Sequence, residues 1–102
     1  MHVTISEQEG RLVAALIGDF DNVASAMAER DLAPVFDNTD CDVVIDCTEL
    51  DYISSSGLRI LLNIYKHTRK TAHHAILRNV SDDVEEVLRT GGFLQLYQLE
   101  KA

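Results

Sequence analysis

The chain has no tryptophan and a single proline, Pro34, in 102 residues, and only three phenylalanines and three tyrosines. Its core must therefore be mostly aliphatic, and its helices and strands are free of proline breaks along nearly their whole length. Cations are scarce too: nine Lys and Arg stand against seventeen Asp and Glu, a formal net charge of -8. A phosphate backbone repels such a surface, which excludes nucleic acid as the expected partner. An anionic membrane surface is disfavoured in the same way, and a basic protein partner fits better. The longest apolar run, residues 12–17, is far short of the roughly 20 residues a membrane helix needs. The first ten residues lack the basic start and apolar stretch of a secretion signal. The two cysteines, Cys41 and Cys47, flank one apparent strand and have no metal-ligand spacing with a histidine, so no cofactor or metal is expected. These features together lead us to expect a cytoplasmic protein with reduced thiols and no membrane insertion.

What is present predicts one α/β domain over residues 1–102. Residues 3–7 alternate apolar and polar, Glu9-Gly10 makes a turn, and residues 11–17 read as a strand covered on both faces. Gly18 is expected to end that strand, and Asp21 or Asn22 to cap an alanine-rich helix over residues 23–33. Ala24, Met27, Ala28 and Leu32 give that helix its apolar spacing, and Pro34 with residues 37–40 marks its end. Residues 42–46 form a short β-branched run, expected as a buried central strand, with residues 47–56 as the loop after it. Leu58, Leu61, Leu62 and Tyr65 fall at i, i+3, i+4 and i+7, which predicts a helix over 56–69 with a basic end at Lys66, Arg69 and Lys70. Residues 74–80 then read as a strand, 81–92 as a helix stopped by Gly91-Gly92, and 94–99 as a last strand or short tail. The expected order is ββαβαβα and a final β segment. It makes an α/β sandwich with a mostly parallel sheet, an N-terminal hairpin and helices packed on it.

Loops at the carboxyl ends of parallel strands gather on one edge. Asp19, Asp21, Asp51, Asp82 and Asp83 are therefore expected to share an acidic rim with Ser54, Ser55 and Ser56. Three hydroxyls before a helix exceed the need of one N-cap, although an N-cap is the ordinary use of such a serine. A nucleophile elbow needs glycines on both sides, and here Ile53 stands two residues before Ser55. No Gly-rich phosphate loop ending in Lys-Ser/Thr is present. A serine that accepts a phosphate fits the position better, because free N–H groups and the positive end of the helix dipole can meet the new charge. The modification adds about −1.5 to −2 to an acidic rim while sparing the fold, which is the behaviour of a switch.

The stretch "VVIDCTELDYISSSGLRILL" resembles the signature of STAS domains, specifically the anti-sigma factor antagonists. An apolar strand ends in Asp46. The Tyr52-Ile53 pair, Ser54, Ser55, Ser56, Gly57 and Leu58 then fit the pattern of that signature. "LIGDFDNVASA" is similar to the family's loop, with Gly18, Phe20 and Asp21 in register, and "VLRTGGFLQLYQL" to its closing segment. The resemblance implies that Ser55 is the phosphoacceptor, with Asp21, Ser54, Ser56 and Gly57 at the partner-binding surface. Ser54 stands where the best-known antagonists have Asp. The resemblance further implies a non-enzymatic protein, monomeric when free. Unphosphorylated, it would bind an anti-sigma factor that is also a serine-protein kinase, releasing it once phosphorylated, and a PP2C-type phosphatase would reset it. The alternative role within the same family is a small subunit of a lipid-transport ABC complex, without a phosphorylation cycle.

Overall fold

Positive backbone φ at both Glu9 (53°) and Gly10 (77°) gives the two-residue turn whose twist matches a β-hairpin. β1 (His2–Gln8) and β2 (Arg11–Phe20) close on it, antiparallel, with Gln8 opposite Arg11. The computed structural model describes residues 1–38 and 40–101. The chain continues through α1 (Asn22–Asp31), α2 (Ala33–Asp37), β3 (Val43–Asp46), β4 (Leu50–Ile53) and α3 (Ser55–Lys70). It ends with β5 (Ala75–Arg78), α4 (Asp82–Thr90), a 3-10 turn (Phe93–Gln95) and β6 (Gln98–Glu100). The sheet order is β1-β2-β3-β5-β6, and every pairing after the hairpin is parallel. This is the expected mostly parallel sheet with an N-terminal hairpin.

Strand alternation divides the apolar residues between two faces. Leu12, Ala14 and Leu16 of β2, Val43 and Ile45 of β3, and Leu77 of β5 pack with Ala28 of α1, Ile60, Leu61 and Ile64 of α3, and Val84 and Leu88 of α4. Tyr97, buried behind the 3-10 turn, ties the C-terminal segment to α3 by donating its hydroxyl to the Leu61 carbonyl (2.5 Å). The other face holds a second cluster of strand residues alone: Val13, Val44 and Ile76.

Arg11, two residues before Val13, and Arg78, two after Ile76, alternate onto that same face. Glu100 of β6 bridges both, with Nη1 of Arg11 and Nε of Arg78 each at 2.9 Å, and so spans the intervening β3 and β5. Hydrogen bonds from Arg11, then Arg78, hold the Glu100 carboxyl below its ordinary value of 4.5. A lowered folded value means that this contribution to stability is present above the unfolded value and is lost as pH falls through the folded one. We expect Glu100→Gln to lower the urea midpoint at pH 7. It should also flatten the loss of stability below about pH 4.5 relative to the native chain. Equal midpoints for the two proteins at pH 7 would refute this.

The structure corrects the sequence reading at four places. Gly18 does not end β2: at φ 98° it sits where the register shifts, and the strand runs on to Phe20. The loop expected after β3 contains a strand. β3 pairs with residues 12–15 of β2, the chain turns at Cys47, and β4 resumes parallel pairing with β2 at Gly18–Phe20. Pro34 opens the short helix α2 rather than closing the first, because a missing N–H costs nothing in a first helical turn. Met27 is 60% exposed, and the buried stripe of α1 is Ser25 and Ala28, continued by Leu32 at its C-cap. Position 39, within the stretch expected to end the first helix, lies outside the described residues.

Candidate functional site

The serine turn is built where β4 hands over to α3. Ser54 is extended (φ −87°, ψ 171°) and is the N-cap of α3, its Oγ accepting the Gly57 N–H at 3.2 Å. Its own N–H donates to the Phe20 carbonyl (2.8 Å) and its carbonyl accepts the Leu58 N–H (2.9 Å). With every polar group committed and 7% of its surface exposed, Ser54 is a structural residue. Ser55 is the first residue of α3 and is exposed, and Ser56, the second, is half-buried. With the Gly57 N–H taken by Ser54, helix geometry leaves the N–H groups of Ser55 and Ser56 without intrahelical acceptors at the start of α3.

Gly57 is required by packing rather than by backbone freedom. A Cβ at this position would lie 2.8 Å from Ile53 Cγ1 and 2.9 Å from Phe20 Cγ. Only a glycine lets the first turn of α3 settle on these two buried side chains, and that contact draws Ser55 to the edge of the sheet. Phe20 is completely buried. It thus supports the site twice, with its ring beneath Gly57 and its carbonyl on Ser54. In the sequence Phe20 reads as a loop residue whose one signal is its register in the stretch similar to the family's loop, and nothing local shows that it packs on Gly57.

Asp21 directly succeeds Phe20. It is exposed and caps α1, its Oδ1 accepting the Ala24 N–H at 2.8 Å. Asp19 is paired in register with Tyr52, and Asp19, Asp51 and Tyr52 are all exposed, Tyr52 at 51%. Three of the expected rim acids are therefore exposed: Asp19 on β2, Asp21 directly after it, and Asp51 on β4, the strand that leads into the serine turn. Asp82 and Asp83 are exposed in the first turn of α4, after β5, which lies two strands from β2. The Tyr52-Ile53 pair divides: Ile53 is buried under Gly57, and Tyr52 faces outward.

The remaining chemistry is poor ground for catalysis. His67 lies in the last turn of α3 with Nε2 2.7 Å from the Asn38 carbonyl oxygen, and His73 and His74 come after that helix at the end away from Ser55. Cys47 is buried, and that burial pushes its thiol up to about 12, where no thiolate forms near neutrality. Among the described residues no three His, Cys, Asp or Glu side chains converge as a metal site, and no helix is long and apolar enough to cross a membrane. Removing the cap should be felt as lost stability. Ser54→Ala is expected to cost about 0.5–2 kcal/mol in urea unfolding. A cost within error of zero would show that the Oγ–Gly57 bond contributes nothing.

Comparison with known proteins identifies the family. The STAS domain pattern matches residues 2–102. BtrV of Bordetella bronchiseptica, which carries the name anti-sigma factor antagonist, is 34% identical over 97 residues, covering 95% of this chain and 84% of its own. Among solved structures, a Thermotoga maritima protein described by the same antagonist name superposes with a TM-score of 0.86. That match has 11% identity and covers 98% of this chain and 86% of the other. The Bacillus cell fate determinant SpoIIAA in its phosphorylated form superposes at 0.75 with 17% identity, covering 99% and 91%.

Proposed function

The chain belongs to the STAS domain family, and from that membership we propose that it is an anti-sigma factor antagonist whose Ser55 is a phosphorylation switch. In the unmodified state it binds an anti-sigma factor through the exposed Ser55 and the half-buried Ser56 with Asp21 beside them, while the buried Ser54 and Gly57, expected as contacts, instead hold the turn in place. The partner is also a serine kinase, and it transfers phosphate from ATP to Ser55. The modified chain then lets go, and a PP2C-type phosphatase restores the hydroxyl. The chain itself carries no catalytic step in this cycle.

One observation carries the choice of serine. Ser54 is consumed as a buried cap, whereas Ser55 is the exposed residue at the start of α3. A phosphate on Ser55 lies against unpaired N–H groups at the positive end of the helix dipole, so the helix accommodates it. The surface does change, because the new charge joins Asp19, Asp21 and Asp51. An acidic rim of this kind suits a partner rich in Lys or Arg.

The test is mass spectrometry of the native chain and of Ser54→Ala, Ser55→Ala and Ser56→Ala after incubation with the cognate kinase and ATP. Phosphate is expected on all but Ser55→Ala. Phosphate persisting on Ser55→Ala would place the acceptor elsewhere. No phosphate on any protein would favour the transporter-subunit role.

A further inference from the structure

Residues 52–81 contain no Asp or Glu, although seventeen occur in the rest of the chain. The same segment holds Arg59, Lys66, Arg69, Lys70 and Arg78, five of the nine Lys and Arg, and three of the four histidines. The fold gathers the middle of this segment around a hollow of about 360 Å³ at the far end of α3, whose lining includes Tyr65, Arg69, His73, His74, Leu96 and Gln98. No carboxylate is among its lining residues.

We infer that this hollow binds a small organic anion, a phosphate or carboxylate carried on a planar or apolar body. Its volume falls at the lower end of the range of small-molecule sites, and such sites pair apolar walls with a few convergent polar groups. Here the guanidinium of Arg69 is held by the Tyr65 hydroxyl (Nη1 to Oη 3.0 Å), so a flexible cation is already oriented at the rim. Asp42 fixes the opposite wall. Its Oδ1 accepts the His74 N–H (2.9 Å) and lies 3.4 Å from His73 Nδ1. Ala72, Ala75 and Leu96 supply the apolar surface, together with the ring of Tyr65.

A helix C-terminus ordinarily repels an anion, and here three of the last four carbonyls of α3 are capped. The Thr71 N–H binds the His67 carbonyl, Ala72 that of Arg69, and His73 that of Thr68 (2.8 Å). Arg69 is the one permanent cation among the lining residues, and the nearby carboxylate of Asp42 is engaged by His73 and by the His74 N–H. α3 has sixteen residues and rises about 24 Å. The hollow is a helix length from Ser55, so a ligand in it leaves the serine turn uncovered.

The test is an amide NMR titration of the full chain with phenyl phosphate, and with inorganic phosphate and phenol as its separate halves. Saturable shifts are expected at Thr68, Arg69, residues 72–75 and Leu96. Phenyl phosphate should bind at least about tenfold more tightly than either half, and Arg69→Ala should weaken it about tenfold by removing one charge-assisted pairing. Arg69 is exposed, and the same spectra report whether the variant is folded; Arg69→Gln serves if it is not. Ser55→Ala should bind phenyl phosphate as the native chain does. The inference is overturned if no saturable shift is seen, if the shifts centre on residues 54–57, or if the folded Arg69 variant binds unchanged.

Discussion

Phe20→Ala is expected to remove about 3–5 kcal/mol of stability, the cost of emptying a fully buried aromatic site. A domain of this size has a total of only about 5–15 kcal/mol, so the variant should be close to unfolding at ambient temperature. Urea denaturation monitored by circular dichroism measures the loss. The effect should reach the serine turn as well. Ring and carbonyl of Phe20 hold Gly57 and Ser54, so the variant should be phosphorylated more slowly even where it remains folded. Phe20→Leu refills part of the space and should restore part of both properties. A loss below about 1 kcal/mol for Phe20→Ala would be the value of a surface position and would remove Phe20 as the support of the site.

Ser55→Asp is expected to weaken binding to the anti-sigma factor while leaving the melting temperature within error of the native chain. An acid in the first helical turn interacts favourably with the dipole, so stability should be unchanged or slightly raised. The same charge placed in a contact made for a hydroxyl, beside three carboxylates, should cost the complex about 3 kcal/mol, roughly a hundredfold in affinity. Ser55→Ala should bind as the unmodified chain does and resist release by kinase and ATP. Calorimetric titration and thermal melts of the two variants separate the effects. A lowered melting temperature in Ser55→Asp would attribute lost binding to damage rather than switching.

The parts of this architecture legible in the sequence are those with one strong local signal. The leucine spacing of residues 58–65 announces α3, expected over 56–69 and found over 55–70, because an amphipathic helix repeats its apolar face every turn. The fully buried face is nevertheless Gly57, Ile60, Leu61, Ile64 and Thr68, with Leu58, Leu62 and Tyr65 partly buried at its flank. The β-branched run at 43–45 marks the central strand for a similar reason: it is covered on both faces. β4 is hidden because its burial does not alternate. Leu50 and Ile53 are in, Asp51 and Tyr52 are out, and its partner lies beyond an irregularity at Gly18. Both the glycine and the acidic residues read locally as turn, and only the long-range pairing makes them strand. α2 is hidden by Pro34, because a proline can either stop one helix or open the first turn of another. At the site, local sequence leaves the cap open between Ser54 and Ser55, and only the register of the STAS resemblance separates the exposed Ser55 from the capping Ser54. The reason for Gly57 is legible in neither, since it depends on Phe20, thirty-seven positions away in sequence and in contact only once folded.

The affinity of the chain for its cognate anti-sigma factor, measured by calorimetry with Ser55 unmodified and with Ser55 fully phosphorylated, addresses the switch most directly. We predict tight binding of the unmodified chain and at least about a hundredfold weaker binding of the phosphorylated one, at an unchanged melting temperature. Equal affinity of the two forms would contradict the account.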